Sequence, residues 1–325
     1  MTVHAAVESR IGRRATTIAL IGLAIVAFYG FVEFIFPPVY TLFWGVTCNV
    51  TGIWLLCSGF LQRGFTTGIL IGIAAPLVGA YLVNRQMALI GEALAHTAFG
   101  GVAIGLFIGA TFEWANYPLL MALIVAALAA LGLQWLAVHT ETYADVPLAI
   151  LLTGSFAVGV AVISYGVTFG REINSYLFGD ILFVPFENVQ LMTGLTVTVL
   201  LMVALTHKQL LFITFDREAA RLARINVWFY DTMLVVLTAL VVVAAMQILG
   251  AILVAAMLVV PVAAAMQVTN SFNQVLVASV VVGEIAVILG IYLSYVWSIA
   301  TGAMIVIVAI GIYLLTIAAP IEVGG

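Results

Sequence analysis

Two side chains in this sequence could do chemistry together. Glu92 and His96 place a carboxylate and an imidazole four residues apart inside an apolar stretch, a spacing that puts both on one face of a helix. If that helix runs from Arg85, Glu92 lies about 10 Å and His96 about 16 Å along it, the latter near the middle of a bilayer core. Ionisable groups at such depth are costly unless paired or hydrated, so they line a pathway or a bundle interior. Carboxylate oxygen with imidazole nitrogen suits zinc, manganese or ferrous iron and fits an organic solute poorly. A Glu–His hydrogen bond that only locks helix packing is the structural alternative. Two donors do not close a metal site. A second copy of the chain could supply the rest, as could Glu284, midway along a later apolar span. Weak, incomplete coordination would suit a site of passage.

The same helix carries Gly101, Gly105 and Gly109, two overlapping small-xxx-small repeats of the kind that lets membrane helices approach closely. Gly101 lies nine residues beyond Glu92, half a turn out of phase at about 100° per residue. The glycine stripe can therefore pack on a neighbour while Glu92 and His96 face a cavity.

The elements that must hold these residues follow from composition. Hydrophobic residues make up 65% of the 325 and charged residues only 7%, against about 25% charged in a soluble domain. No water-exposed surface can be built from this, and the chain reads as an all-α polytopic membrane protein. Apolar segments of bilayer length run over 16–36, 65–83, 87–108, 118–138, 147–169, 188–206, 227–245, 249–268, 275–296 and 299–317, about ten transmembrane helices. Arg10, Arg13 and Arg14 precede the first of these as in a signal peptide, but no A-x-A site follows, so an uncleaved helix is expected. The net charge of −4 is scattered over loops and gives no reason to expect nucleic acid.

Segment 39–60 is long enough to cross but is interrupted by Gly45, Asn49, Gly52 and Gly59. Treating it as interfacial or re-entrant, with the N-terminus inside, puts Arg85, Lys208, Arg217, Arg221 and Arg224 on the cytoplasmic side and leaves Arg63 and Arg171 outside. The C-terminus is then cytoplasmic too. Cys48 and Cys57, nine apart, match no CxxC or zinc-ribbon pattern and read as small apolar filling. Pro261 interrupts an apolar span, freeing the Met257 carbonyl and favouring a kink. Asp231, His139 and His207 fall near span ends and read as interfacial. No G-x-x-x-x-G-K-[ST] phosphate loop occurs, so ATP-driven work would need a partner chain.

Gly91-Glu92-Ala93-Leu94-Ala95-His96, preceded by Arg85-Gln86-Met87, resembles the signature of the zinc and manganese ABC-transporter permease family. Three downstream segments are similar to it at family-like spacing: Tyr176-Leu177-Phe178-Gly179-Asp180, the polar loop Phe215 to Arg221, and Leu249-Gly250-Ala251-Ile252 through Val260-Pro261-Val262-Ala263-Ala264. The resemblance implies a type II ABC importer-like permease core over 60–318, with 1–59 as an N-terminal extension and 319–325 as a short tail. It further implies a homodimer in a prokaryotic cell membrane, an extracytoplasmic metal-binding protein that delivers the ion, and a separate ATPase subunit. The permease would then be no enzyme and would bind no permanent cofactor; the divalent metal would be cargo, with Glu92, His96 and Glu284 as its ligands. Within the loop 206–226, Asp216, Arg217, Glu218, Ala220, Arg221 and Arg224 would form a short coupling helix that docks on the ATPase. Three departures stand out, one being that residues 1–59 lie outside the family's typical core. The family more often has aspartate at Glu92, whose extra methylene moves the ligand oxygen, and it usually has a glycine near Arg224. The rival from another class is a proton-coupled secondary metal transporter using Glu92 and Glu284, which inverted repeats would favour; none is visible.

Overall fold

The computed structural model describes residues 36–48, 57–111, 118–139, 145–165, 176–179 and 184–318. The expected first span 16–36, Arg171, Asp180 and the tail 319–325 lie outside the described residues, apart from Phe36. The chain divides into two compact units, 1–59 and 60–325.

In the first unit, residues 36–48 are helical, with aromatic ring contacts Phe36–Tyr40 and Phe43–Trp44. Cys48 and Cys57 are joined in a disulfide with their Cα atoms 5.1 Å apart, a correction to their reading as apolar filling. Nine residues of straight helix would separate those atoms by about 13 Å, so Cys48 and Cys57 do not sit on one continuous helix. Spacing alone could not show this, because a disulfide depends on where the backbone folds, not on a local motif.

The second unit consists of helices: α1 Gly59–Asn84, α2 Leu89–Thr111, α3 Pro118–His139, α4 Asp145–Tyr165, α5 Phe186–Phe215, α6 Arg217–Leu222, α7 Val227–Leu249, α8 Ala251–Val268, α9 Phe272–Trp297 and α10 Thr301–Ala318. Among the described residues, α1, α2, α4, α5, α7, α9 and α10 contain stretches long and apolar enough to cross a membrane, and α3 and α8 contain shorter apolar stretches. In hydrocarbon every backbone polar group must be paired within its own segment, so continuous helices are the form these sequences must take. Helix α8 runs through Pro261 without a break in its assignment, and α1 does the same through Pro76.

One boundary differs markedly from the sequence reading. Helix α5 is 30 residues long and continues nine residues beyond Thr206 to Phe215, so the expected loop 206–226 is mostly helix and only 216–226 connects α5 to α7. A helix of that length spans about 45 Å, against a hydrocarbon core of about 30 Å. The helix is thus longer than the core requires, and its C-terminal end leads directly into α6.

Helix α2 sits at the centre of this unit, packed on α3, α4, α7 and α8. The glycine stripe does what its phase implies. A Cβ at Gly101 would stand 2.7 Å from the Cα of Ala122, and one at Gly105 would stand 2.8 Å from the Cα of Pro118, both on α3. On the α4 side, Thr97 and Ser155 share a 3.1 Å hydrogen bond. Helix α1 meets α8 just as closely, since a Cβ at Gly79 would run into the Leu258 carbonyl. At the α7–α8 junction Gly250 has φ +82° and lies against the backbone of Leu177 and Phe178. Two segments of the family-like pattern, far apart in sequence, are thus in direct contact.

These approaches are testable. Gly79→Ala and Gly250→Ala each force a side chain into backbone and should destabilise the purified protein by about 2 kcal/mol or more, read as a lowered melting midpoint in detergent. Gly132→Ala, where a Cβ meets nothing within 4 Å, should be neutral or stabilise by up to about 1 kcal/mol through helix propensity.

Candidate functional site

The entry to α2 is a turn, not a helix running from Arg85. Helix α1 ends in paired backbone bonds, Met87 N–H to the Leu82 carbonyl at 2.9 Å and Gln86 N–H to the Val83 carbonyl at 3.0 Å, with Gln86 at φ +59°. This is the Schellman arrangement, with Arg85 as the cap residue. It uses the residues up to Ala88, so α2 starts at Leu89 and Glu92 lies in its first turn. The depths expected from counting at Arg85 are accordingly too large: Glu92 is about 5 Å and His96 about 10 Å along α2. A carboxylate in the first turn of a helix also gains from the positive end of the helix dipole.

Glu92 and His96 are half-buried on a helix whose neighbouring residues Ala93, Leu94, Ala95 and Thr97 are buried. The His96 ring stands edge-on to Phe156 of α4, centroids 5.1 Å apart, which fixes its plane without using its nitrogens. Its Nδ1 is buried and has no hydrogen-bond partner. A buried, unpaired imidazole nitrogen one turn from a carboxylate is a donor set of the kind that takes a cation. Glu284 lies elsewhere: its Oε1, also buried and unpartnered, faces Gly72 of α1. Among the described residues no three His, Cys, Asp or Glu groups come together as a metal cluster, so the structure pairs Glu92 with His96 and does not bring Glu284 to them. A cavity of about 460 Å³ lined by Pro118, Tyr176, Glu187 and Val243 holds neither member of the pair.

At the far end of α5 the charged loop is a built element. The Asp216 side chain caps α6 by accepting from Ala219 N–H at 2.8 Å. The helix closes with a second Schellman pair, Ile225 N–H to the Ala220 carbonyl and Arg224 N–H to the Arg221 carbonyl. Ala220, expected in the coupling helix, is its buried member, packing with Ile213 and Val227 to anchor the helix. The exposed surface of α6 carries Arg217, Glu218, Arg221 and Leu222, the last 86% exposed.

Asp231, read as interfacial from its place near a span end, is buried and ion-paired. Its buried carboxylate takes Arg85 Nη1 on one oxygen at 2.8 Å and Arg217 Nη2 on the other. Arg85 also donates to Thr214 Oγ1 at 2.9 Å and to the Leu210 carbonyl at 3.0 Å, both on α5. Burial pulls the Arg85 guanidinium below its ordinary pKa and the Asp231 carboxylate pulls it back; starting so far above neutrality, it stays charged. Removing one partner of such a buried pair costs about 3–5 kcal/mol. His207, likewise read as interfacial, hydrogen-bonds through Nδ1 to the Tyr81 hydroxyl at 2.7 Å. The signal for Asp231 was available, since a lone acid one turn into an apolar helix needs a cation, but choosing its partner required knowing which helix ends meet.

The sequence profile of the ABC 3 transport family matches residues 58–319. The chain belongs to the ABC 3 transport family. Its relatives include the manganese transport system membrane protein MntC of Halalkalibacterium halodurans, 35% identical over 255 residues that cover 78% of this chain and 85% of that one. The manganese import system permease protein ScaB of Streptococcus parasanguinis is 33% identical over 257 residues, 79% of this chain and 89% of that one. Among solved structures, PsaBC from Streptococcus pneumoniae in complex with Fab superposes with a TM-score of 0.72 at 31% identity, covering 80% of this chain and 91% of that chain. As an ABC 3 family member the protein is a membrane-spanning transport component that works with a separate ATPase, not an enzyme, which displaces the secondary-transporter reading.

The family pattern also explains one departure. Arg224, near the family's usual glycine, occupies the C′ position after α6 with φ +60°, a left-handed conformation that costs a residue with a Cβ about 1–2 kcal/mol. Arg224→Gly should therefore stabilise the protein by about 1 kcal/mol, seen as a raised melting midpoint with α6 intact.

Proposed function

We propose that this chain is the permease subunit of an importer that carries a divalent metal ion, manganese foremost, across a prokaryotic cell membrane, with Glu92 and His96 as transit ligands. The observation that carries the reading is the buried, unpartnered His96 Nδ1 one helical turn from Glu92. Oxygen and nitrogen donors of this kind accept manganese, zinc and iron alike; manganese is put first because the MntC and ScaB relatives are named for its transport. Two donors hold an ion weakly enough to release it, and two copies of the chain would supply four. The working unit is accordingly a homodimer with two ATPase subunits, which receives the ion from an extracytoplasmic binding protein. ATP-driven closure and opening of the ATPase pair exchanges two states of different metal affinity.

The orientation follows from chemistry at the two ends of α1. The Cys48–Cys57 disulfide lies just before α1 in the chain and belongs in an oxidising compartment. The cationic α6 meets the turn at the other end of α1, through Asp231 and Arg85, and belongs on the cytoplasmic side. Both chain termini are then cytoplasmic, and α6 presents Arg221 and exposed Leu222 to the ATPase.

In proteoliposomes containing the cognate ATPase and binding protein, Glu92→Ala and His96→Ala should each lower manganese uptake at least tenfold in assembled complexes. Normal uptake in both would end the ligand assignment. Glu284→Gln, removed from the pair, should keep more than half of the uptake. Separately, Arg221→Glu and Leu222→Asp should abolish co-purification of the ATPase while leaving the permease's melting midpoint unchanged; an intact complex would show that α6 is not the docking element.

A further inference from the structure

Asp231 does more than neutralise one arginine. One carboxylate joins three places in the chain: Arg217 at the start of α6, Arg85 at the α1 cap, and the N-terminal end of α7 on which Asp231 itself sits. Arg85 ties in a fourth, the last turns of α5, through Thr214 and Leu210. Seven residues beyond Arg85, across one tight turn, is Glu92.

A purely structural pairing of Arg85 with Asp231 would be complete without Arg217. Both of those side chains are almost fully buried, whereas the Arg217 side chain is 54% exposed, and an exposed cation reaching inward loses side-chain freedom for little stability. Beside the three groups lies a cavity of about 240 Å³, lined by Asn84, Gln86 and Phe215 as well as the charged residues. A guanidinium there has space to shift, and this distinguishes the cluster from the glycine contacts, where backbones touch and nothing can slide.

We propose that the Arg217–Asp231–Arg85 cluster is the mechanical link between the ATPase-facing helix α6 and the metal-binding first turn of α2, with Asp231 and Arg85 as positioning residues. Displacement of α6 changes the hold of Arg217 on one Asp231 oxygen. The other oxygen then re-aims Arg85, and the turn Arg85 to Ala88 passes the change to Glu92. This rests on the reading of α6 as the docking helix and of Glu92 with His96 as transit ligands, and it supplies the connection that neither assignment contains.

The test is the ratio of manganese imported to ATP hydrolysed, measured in proteoliposomes with equal amounts of assembled complex. Asp231→Asn keeps the shape and removes the charge, and it should lower the ratio about tenfold while ATP hydrolysis continues within about twofold of wild type. Asp231→Glu, which restores a carboxylate, should recover most of the ratio, and Arg85→Lys, which keeps charge but loses the fork, should resemble Asp231→Asn. A ratio unchanged in both Asp231→Asn and Arg85→Lys overturns the link, as does a parallel loss of uptake and hydrolysis in both, which is what a merely structural role produces. If Arg221→Glu and Leu222→Asp abolish ATPase binding while the Asp231→Asn ratio stays normal, docking stands and the link fails. If those two variants leave the ATPase bound, the docking reading itself fails and the link with it.

Discussion

Lipid gives two apolar helices no hydrophobic reason to associate, because hydrocarbon solvates their side chains as well as a neighbouring helix does. What holds this bundle together is close approach of backbones, and that constraint is concentrated on α2. Its glycines bring α3 to van der Waals distance, and Thr97 hydrogen-bonds to Ser155 on α4. Helices α7 and α8 cover further parts of α2, and Glu92 and His96 are left half-buried, His96 against Phe156. The site is thus a by-product of how its helix is packed. Any shift of α2 would have to move those contacts as a body, since close-packed surfaces yield discrete rearrangements, not gradual deformation.

Charge is distributed in a correspondingly sparse way. With charged residues at 7% of the chain, each one in contact with the bundle calls for a specific account. Arg85 and Asp231 answer each other and are nearly sealed from solvent, and Arg85 also sits at the C-terminal end of α1, where the helix dipole favours a cation. Glu284 and the His96 Nδ1 are the contrasting cases, buried polar atoms without partners. Such groups are rare because they forfeit hydration, and in a transporter an unpaired donor set is of use where an ion must be held briefly.

The connections between helices are as specified as the helices. Schellman closures end both α1 and α6, each with a non-glycine residue at positive φ, Gln86 and Arg224. Of the two, Gln86 lies beside the charge cluster, lining the same cavity as Arg85, Arg217 and Asp231. The strain accepted at Arg224 adds an exposed cation after α6 to those of Arg217 and Arg221.

By itself the sequence determined the membrane class, the places of nine apolar helices among the described residues, seven of them long enough to cross, the i, i+4 spacing of Glu92 and His96 and the opposite phase of the glycine stripe, because each depends on composition or on the fixed geometry of one helix. The short helix at Arg217 to Leu222 was legible for the same reason. Tertiary structure alone decided where α2 begins, since that depends on the Schellman turn at Gln86, and how far α5 continues past Thr206. It also decided that Cys48 meets Cys57, that Asp231 serves two arginines 132 residues apart in sequence, Arg85 and Arg217, and that Glu284 turns to Gly72 and not to His96. A helix repeats every 3.6 residues and declares its faces locally. Which faces and ends then meet is set by closeness of packing between distant segments, and no local period encodes that.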